Sequence, residues 1–203
     1  MYQQHFEEYN KLSTINSLLC QIQYTLQAKG YDGVYFIVDK NVFRYYQEEI
    51  FLKLQKIEEK IVLIEADELY KNQAQCQKVW SFFVQKNVSR RALVIIIGGG
   101  ITLDLGAFAC STWKRGVAFI LVPSTLLAMA DACIGGKTGI NFQGIKNLVG
   151  TFAFPQEIWI APELLKTLPA RIFRCGLSEI FKTALVADLN LWNKICGISE
   201  WKG

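Results

Sequence analysis

Short apolar runs alternate along the chain with segments whose apolar residues recur at helical spacing, and this alternation constrains the fold more than any other feature. Val34 to Val38, Ile61 to Ile64, Leu93 to Ile97 and Val117 to Val122 are continuous runs without polar alternation, the pattern of strands covered on both faces. Ile15, Leu18, Leu19, Ile22 and Leu26 stand at helical spacing behind Ser13, with Gly30 as the stop. Further helices are predicted over about residues 42–54, over the segment that puts Cys76, Val79, Trp80 and Phe83 on one face, and over about residues 102–113. Strands separated by helices connect by right-handed crossovers, so the expected fold is α/β, a mainly parallel sheet with flanking helices. Pro123 is read as ending the fourth strand, and from about Pro169 the pattern is helical without strands. Residues 1–170 are therefore expected to form the α/β domain, and residues 171–203 the first helices of an all-α domain.

With 51% hydrophobic and 20% charged residues, a chain of 203 residues can bury a core, which rules out disorder and small disulfide scaffolds. Its net charge of +4 comes from scattered basic residues, which argues against nucleic acid as a partner. Cysteines at 20, 76, 110, 133, 175 and 196 include no Cys-x-x-Cys pair, as expected for reduced thiols in the cytoplasm. No basic stretch leading into an apolar one follows Met1, so no secretory signal is expected. Residues 92–110 are apolar, but Asp104 among them would cost about 2.5–3.5 kcal/mol at a bilayer centre, and no membrane span is expected.

The chemistry is expected where the third apolar run meets a helix start, at Gly98, Gly99 and Gly100. Backbone N–H groups and the helix dipole converge there on an approaching anion, and a side chain would block the approach. A tight structural turn would use the same residues. Asp104, one turn on, reads equally as a functional carboxylate or as a favourable charge near a helix N-terminus. Residues 132–150 are rich in glycine and carry Lys137, Thr138, Asn141, Lys146 and Asn147, a functional loop or short hairpin whose lysines suit an anionic ligand. The Gly136, Lys137 and Thr138 run is not a Walker loop, because Asp131 occupies the place of the first glycine.

Six blocks in order then resemble the 3-dehydroquinate synthases within the wider sugar-phosphate cyclases. They are Gly98 to Gly100 with Asp104; Lys114 to Gly116; Pro123 to Ala128; Asp131 with Gly135 to Gly139; Lys146 with Asn147; and Gly176 to Lys182, the resemblance running from about Val34 to Leu191. The resemblance implies a Rossmann-like nucleotide-binding domain in a cytoplasmic, phosphate-eliminating lyase of the shikimate pathway. That enzyme converts 3-deoxy-D-arabino-heptulosonate 7-phosphate, a phosphorylated sugar acid, to 3-dehydroquinate with NAD and a divalent metal, zinc or cobalt. On the nucleotide side it implies Asp39, Glu68, Lys71, Gly99, Gly100, Asp104, Ser124, Thr125 and Lys146. On the substrate side it implies Asp131, Lys137, Lys146, Asn147 and Lys182, with Arg115 reaching the neighbouring site of a homodimer and Glu179 as a metal ligand.

The sequence departs from the family pattern in three respects. The family takes two histidine ligands from a downstream helical region, whereas the chain has a single histidine, His5, read as a surface residue, so it is expected to be an amino-terminal part that is inactive by itself. Leu103 replaces a glycine often found in the nucleotide turn, and Ser124 replaces a threonine. Phe173, Leu177, Ile180, Phe181, Leu185 and Leu189 form a helical apolar face that is expected to stay uncovered and promote self-association. Another sugar-phosphate cyclase, a polyol dehydrogenase of the same fold, or a non-catalytic NAD-binding remnant are the alternative readings.

Overall fold

The four apolar runs become four neighbouring strands of a parallel sheet, the run from Ile61 to Ile64 at its edge. A computed structural model describes residues 9–11, 14–27, 30–54 and 57–198. Its strands are β1 (Tyr9–Lys11), β2 (Val34–Asp39), β3 (Ile61–Ile64), β4 (Leu93–Gly98), β5 (Ala118–Pro123), β6 (Lys137–Phe142), β7 (Ile145–Phe152) and β8 (Glu157–Ile160). Its helices are α1 (Ile15–Gln27), α2 (Lys40–Tyr46), α3 (Gln73–Gln85), α4 (Gly100–Thr112), α5 (Ala170–Ala187) and α6 (Leu189–Cys196). Among the described residues six strands pair in parallel in the order β1, β8, β5, β4, β2, β3, while β6 and β7 form a separate antiparallel hairpin.

Helices cover both faces of the sheet, which is why its central strands need no polar alternation. In β4, Val94 and Ile96 pack with Cys76, Val79 and Phe83 of α3 and Leu105 and Ala109 of α4. Leu93, Ile95 and Ile97 of the same strand face Leu18 and Ile22 of α1, together with Tyr46 and Phe51. The sheet extends from β2 towards β3 on one side and towards β4 and β5 on the other, so strand order reverses between β2 and β4. In open α/β sheets the crevice beyond the C-terminal strand ends at such a reversal is where ligands bind.

Several boundaries differ from the sequence reading. The helix expected over residues 42–54 begins at Lys40, because the Asp39 carboxylate accepts a hydrogen bond from Asn41 N at 2.7 Å, and it ends at Tyr46. Beyond it the chain turns, and Ile50, Phe51, Leu54 and Ile57 still reach the core although their spacing would also suit one helix face. Pro123 is the last residue of β5 rather than the residue after it. Strands β1 and β8 and the hairpin register lie outside what periodicity indicated. Ser13 and His5 lie outside the described residues, and Thr14 Oγ1 accepts from Ser17 N at the start of α1. No helix among the described residues is long and apolar enough to cross a membrane.

The two last helices follow the sheet without further strands. In α5, Leu185 and Val186 are exposed, as is Leu189 of α6, whereas Phe173, Leu177, Ile180 and Phe181 are partly covered. The α5 helix packs on the stretch after β5, where a π-helical turn, Ala128–Ala132, follows Leu126 and Leu127. Contact is closest at Gly176: a Cβ there would lie 2.5 Å from Leu126 Cβ and 2.6 Å from Leu127 N. Backbone cannot yield as a flexible side chain can, so Gly176→Ala is expected to destabilise the chain by about 2 kcal/mol despite alanine's better helix propensity. Urea unfolding checks this, and an unchanged midpoint would show that α5 is not held there.

Candidate functional site

The C-terminal ends of β2, β4 and β5 converge on a cleft of about 590 Å³ lined by Asp39, Glu68, Gly99, Gly100, Ser124 and Thr125. Its far wall includes Leu168, Ile172 and Cys175, so the start of α5 closes the side opposite the sheet. Gly99 is the N-cap of α4 and no side chain caps the helix, which leaves first-turn N–H groups directed at the cleft. Ser124 N donates to Gly98 O at 2.8 Å and fixes the end of β5 beside the glycine turn. Side chains at the turn would fill the cradle: a Cβ on Gly99 would come within 3.0 Å of Thr125, and one on Gly100 within 3.3 Å of Ala132. Leu103 is buried in the core, so the missing glycine there does not intrude on the cleft.

Asp39 stands at the other side of the strand reversal, on the end of β2. Burial pushes its carboxyl above the usual aspartate range, against the pull of the Asn41 and Val42 N–H groups. Such a carboxylate at a strand end suits the hydroxyls of a bound ribose. The uncapped glycine turn, this carboxylate and the size of the cleft together fit NAD, with Gly99 and Gly100 at its phosphates.

A second, more polar cleft of about 520 Å³ lies beside the first and is lined by Asp104, Asp131, Lys137 and Asn147 among others. The hairpin turns through Gln143 and Gly144, both with positive φ as a tight two-residue loop requires, and returns Asn147 to the cleft with φ 52°. Asp131 sits in the π-helical turn, a feature common near functional sites. Lys71 is the buried cation of the group: its side chain is 6% exposed and its Nζ donates to Asp104 Oδ2 and Asn147 Oδ1, both at 2.6 Å. Burial raises the Asp104 pKa, and Lys71 pulls it back only in part. Helix-dipole stabilisation decays within the first turn, so desolvation prevails at this position.

Of the residues singled out in the sequence, the structure brings most to these two clefts. Lys71 faces Asp104 and Asn147, bridging the clefts from within, and Glu68 accepts from Asn141 Nδ2 at 2.7 Å with Lys146 Nζ 3.8 Å away. Glu179 and Lys182 pair with each other one turn apart on α5, and that carboxylate, with a smaller contribution from Asp131, raises the Lys182 pKa. Arg115 is not brought in: it lies beyond the far end of α4, about 18 Å of helix from the glycine turn. There Lys114 and Arg115 both adopt positive φ, 47° and 66°, before Gly116.

No three His, Cys, Asp or Glu side chains among the described residues are grouped to hold a metal ion. One carboxylate already engaged by an ammonium does not make a zinc shell, so the residues present do not fit a metal by themselves. Asn41 and the apolar wall from α5 were not apparent in the sequence. Asn141 was visible within the glycine-rich stretch, but its role rests on a contact 73 residues away in the chain, which no local signal carries.

Residues 61–175 match the family described as 3-dehydroquinate synthase N-terminal. A 3-dehydroquinate synthase of Lactococcus lactis is 39% identical over 168 residues, 82% of this chain and 47% of the relative. One from a Cyanothece species is 36% identical over 176 residues, 86% and 48% respectively. The chain thus spans about half the length of the curated relatives it matches. Among solved structures, the 2-epi-5-epi-valiolone synthase of Streptomyces hygroscopicus, with NAD+ and Zn2+ bound, superposes with a TM-score of 0.82 at 33% identity, covering 93% of this chain and 52% of that one. A 2-deoxy-scyllo-inosose synthase complexed with carbaglucose-6-phosphate, NAD+ and Co2+ gives 0.75 at 25% identity, covering 88% and 49%.

The Lys71 and Asp104 pair yields a pH-dependent expectation. Removing the ammonium with Lys71→Met leaves a half-buried carboxylate uncompensated and is expected to cost on the order of 3 kcal/mol at pH 7. A carboxyl with a raised folded pKa binds more protons folded than unfolded, so stability falls as pH rises through that window. The variant, with Asp104 raised further, should regain stability as pH drops towards 4, and urea unfolding at pH 7 and pH 5 measures the difference. A loss independent of pH would show that Asp104 is not what Lys71 compensates.

Proposed function

Since the chain belongs to the 3-dehydroquinate synthase family, we propose that it provides the nucleotide-binding part, and part of the substrate surface, of an enzyme converting 3-deoxy-D-arabino-heptulosonate 7-phosphate to 3-dehydroquinate and phosphate. The observation that carries this reading is the adjacency of two clefts across the start of α4, one built for a nucleotide and one lined by lysine and carboxylate. NAD bound in the first would supply a hydride acceptor and later return the hydride. Asp39 holds ribose hydroxyls, the N–H groups at Gly99 and Gly100 hold the pyrophosphate, and Ser124 and Thr125 bound its other side. Lys71 holds the Asp104 carboxyl in place, while Lys137, Lys146, Asn147 and Lys182 supply donors for the phosphate and carboxylate of the sugar acid.

Asp131 stands opposite these cations, where it can accept from a substrate hydroxyl. A divalent metal, zinc or cobalt as in the two solved cyclases, enters this reading only through Glu179. Arg115, presented on a strained exposed turn remote from its own clefts, fits a homodimer in which it serves the neighbouring site. Six free thiols support a cytoplasmic location. A second reading, another sugar-phosphate cyclase, is favoured by the valiolone synthase superposition, and a panel of sugar phosphates separates the two.

Calorimetry with NAD+ tests the first cleft. Asp39→Asn keeps a good helix cap for α2 but loses the charged acceptor, and is expected to weaken NAD+ binding about 10- to 100-fold. Burial raises the Asp39 pKa, so the wild-type chain loses stability as pH rises past that value and the asparagine variant does not. The variant should therefore be at least as stable as wild type at pH 7, with the difference vanishing below about pH 4. A wild-type chain that binds no NAD+ sinks the reading.

A further inference from the structure

Asn141 stands between the two clefts and is bonded to both. Its Nδ2 donates to Glu68 Oε1 at 2.7 Å and to Glu68 O at 3.3 Å, and Glu68 lines the nucleotide cleft. Its backbone N donates to Lys71 O at 2.8 Å, which holds the loop that carries the buried ammonium. Its Oδ1 accepts from Asn147 N at 2.9 Å, and Asn147 lines the polar cleft. The network fixes the orientation of the amide: a reversed group would set its NH2 against the Asn147 N–H and its oxygen against the Glu68 carboxylate. Asn147 adopts a left-handed conformation at φ 52°, which few residues take up unaided, so the bond from Asn141 holds a backbone shape as well as a position.

We propose that Asn141 is a positioning residue that locks the Lys146 and Asn147 turn of the hairpin to the Glu68 to Lys71 loop, so that filling the nucleotide cleft strengthens anion binding in the polar one. The role rests on the reading of the two clefts given above. A nucleotide that fixes Glu68 fixes the Asn141 amide, which in turn fixes the Asn147 backbone and its side-chain oxygen against Lys71. Lys146, 3.8 Å from the same Glu68 carboxylate, moves with that turn. The link needs no movement of the sheet, because loop 68–71 and the hairpin meet directly, with the Asn141 side chain bonded to Glu68 on one side and Asn147 on the other.

The test is a titration of NAD+ into the full 203-residue chain with and without saturating inorganic phosphate, followed by the reciprocal titration. In the wild-type chain each ligand is expected to tighten the other by about five-fold or more, with the same factor in both directions. Asn141→Ala breaks both side-chain arms, and Asn141→Asp keeps the acceptor for Asn147 N while setting a carboxylate against Glu68. Both are expected to reduce the coupling to less than about two-fold, whatever happens to the affinity for NAD+ itself. Hydrogen exchange at the Asn147 amide is expected to quicken in the alanine variant and stay slow in the aspartate variant. Wild-type coupling retained in either folded variant, or independent binding of the two ligands to the wild-type chain, overturns the role assigned to Asn141. Failure of NAD+ to bind the wild-type chain overturns the functional reading as well, so the two failures are told apart.

Discussion

A buried ammonium with two oxygen acceptors holds three separate pieces of this molecule in one arrangement. Lys71 comes from the loop after β3, Asp104 from α4 and Asn147 from the hairpin, and they meet where little water can reach the charge. Burying such a pair gains little net stability, because desolvation offsets most of the Coulomb attraction. What it gives is specificity of place. The first strand of the hairpin packs on α4 through Ile140, but its return strand is largely exposed, and there a charged bond with short reach supplies what packing does not.

The sheet determines where that arrangement can form. Because strand order reverses between β2 and β4, neither strand end is covered by a connection crossing to the other, and the space above them stays open. The glycine turn uses that space by starting α4 with no side chain in the way, and α5 closes it from the opposite side. Close packing of α5 at Gly176 therefore matters to the nucleotide cleft as well as to stability, since the same helix carries Cys175 on the cleft wall and Glu179 one turn on.

How much of this could be read from the sequence depends on the range of the interactions concerned. Four strands were legible because both of their faces are apolar, and α1, α3 and α4 because one face of each is; these are local patterns with a fixed period. The short α2 was overextended because Ile50, Phe51 and Leu54 look like a continuing helix face until the chain is seen to turn and bury them with Ile57. Strand β8 was missed because Glu157 and an adjacent loop interrupt its apolar pattern, though Trp159 is fully buried. At the site, the glycine turn and Asp104 were visible as residue types in a motif. Lys71 entered only through the family resemblance, and its pairing with Asp104 was not legible, because the two lie 33 residues apart and nothing in the local sequence distinguishes Lys71 from a solvated lysine.

Two carboxyl groups, Asp39 and Asp104, sit where burial works against their charge and raises their pKa values. Each is held by donors that recover only part of the lost hydration: main-chain N–H groups of α2 for Asp39, and Lys71 for Asp104. A sheet selected for stability by itself would carry neutral residues at both places, since a neutral cap serves α2 equally well and an apolar residue would suit the side of α4. The core on both sheet faces is large enough to offset these two costs. A carboxyl at the end of β2 and another on α4, each only partly compensated by its donors, are a stability sacrifice that makes sense when a ligand with hydroxyl donors completes the hydrogen bonding in the adjoining clefts.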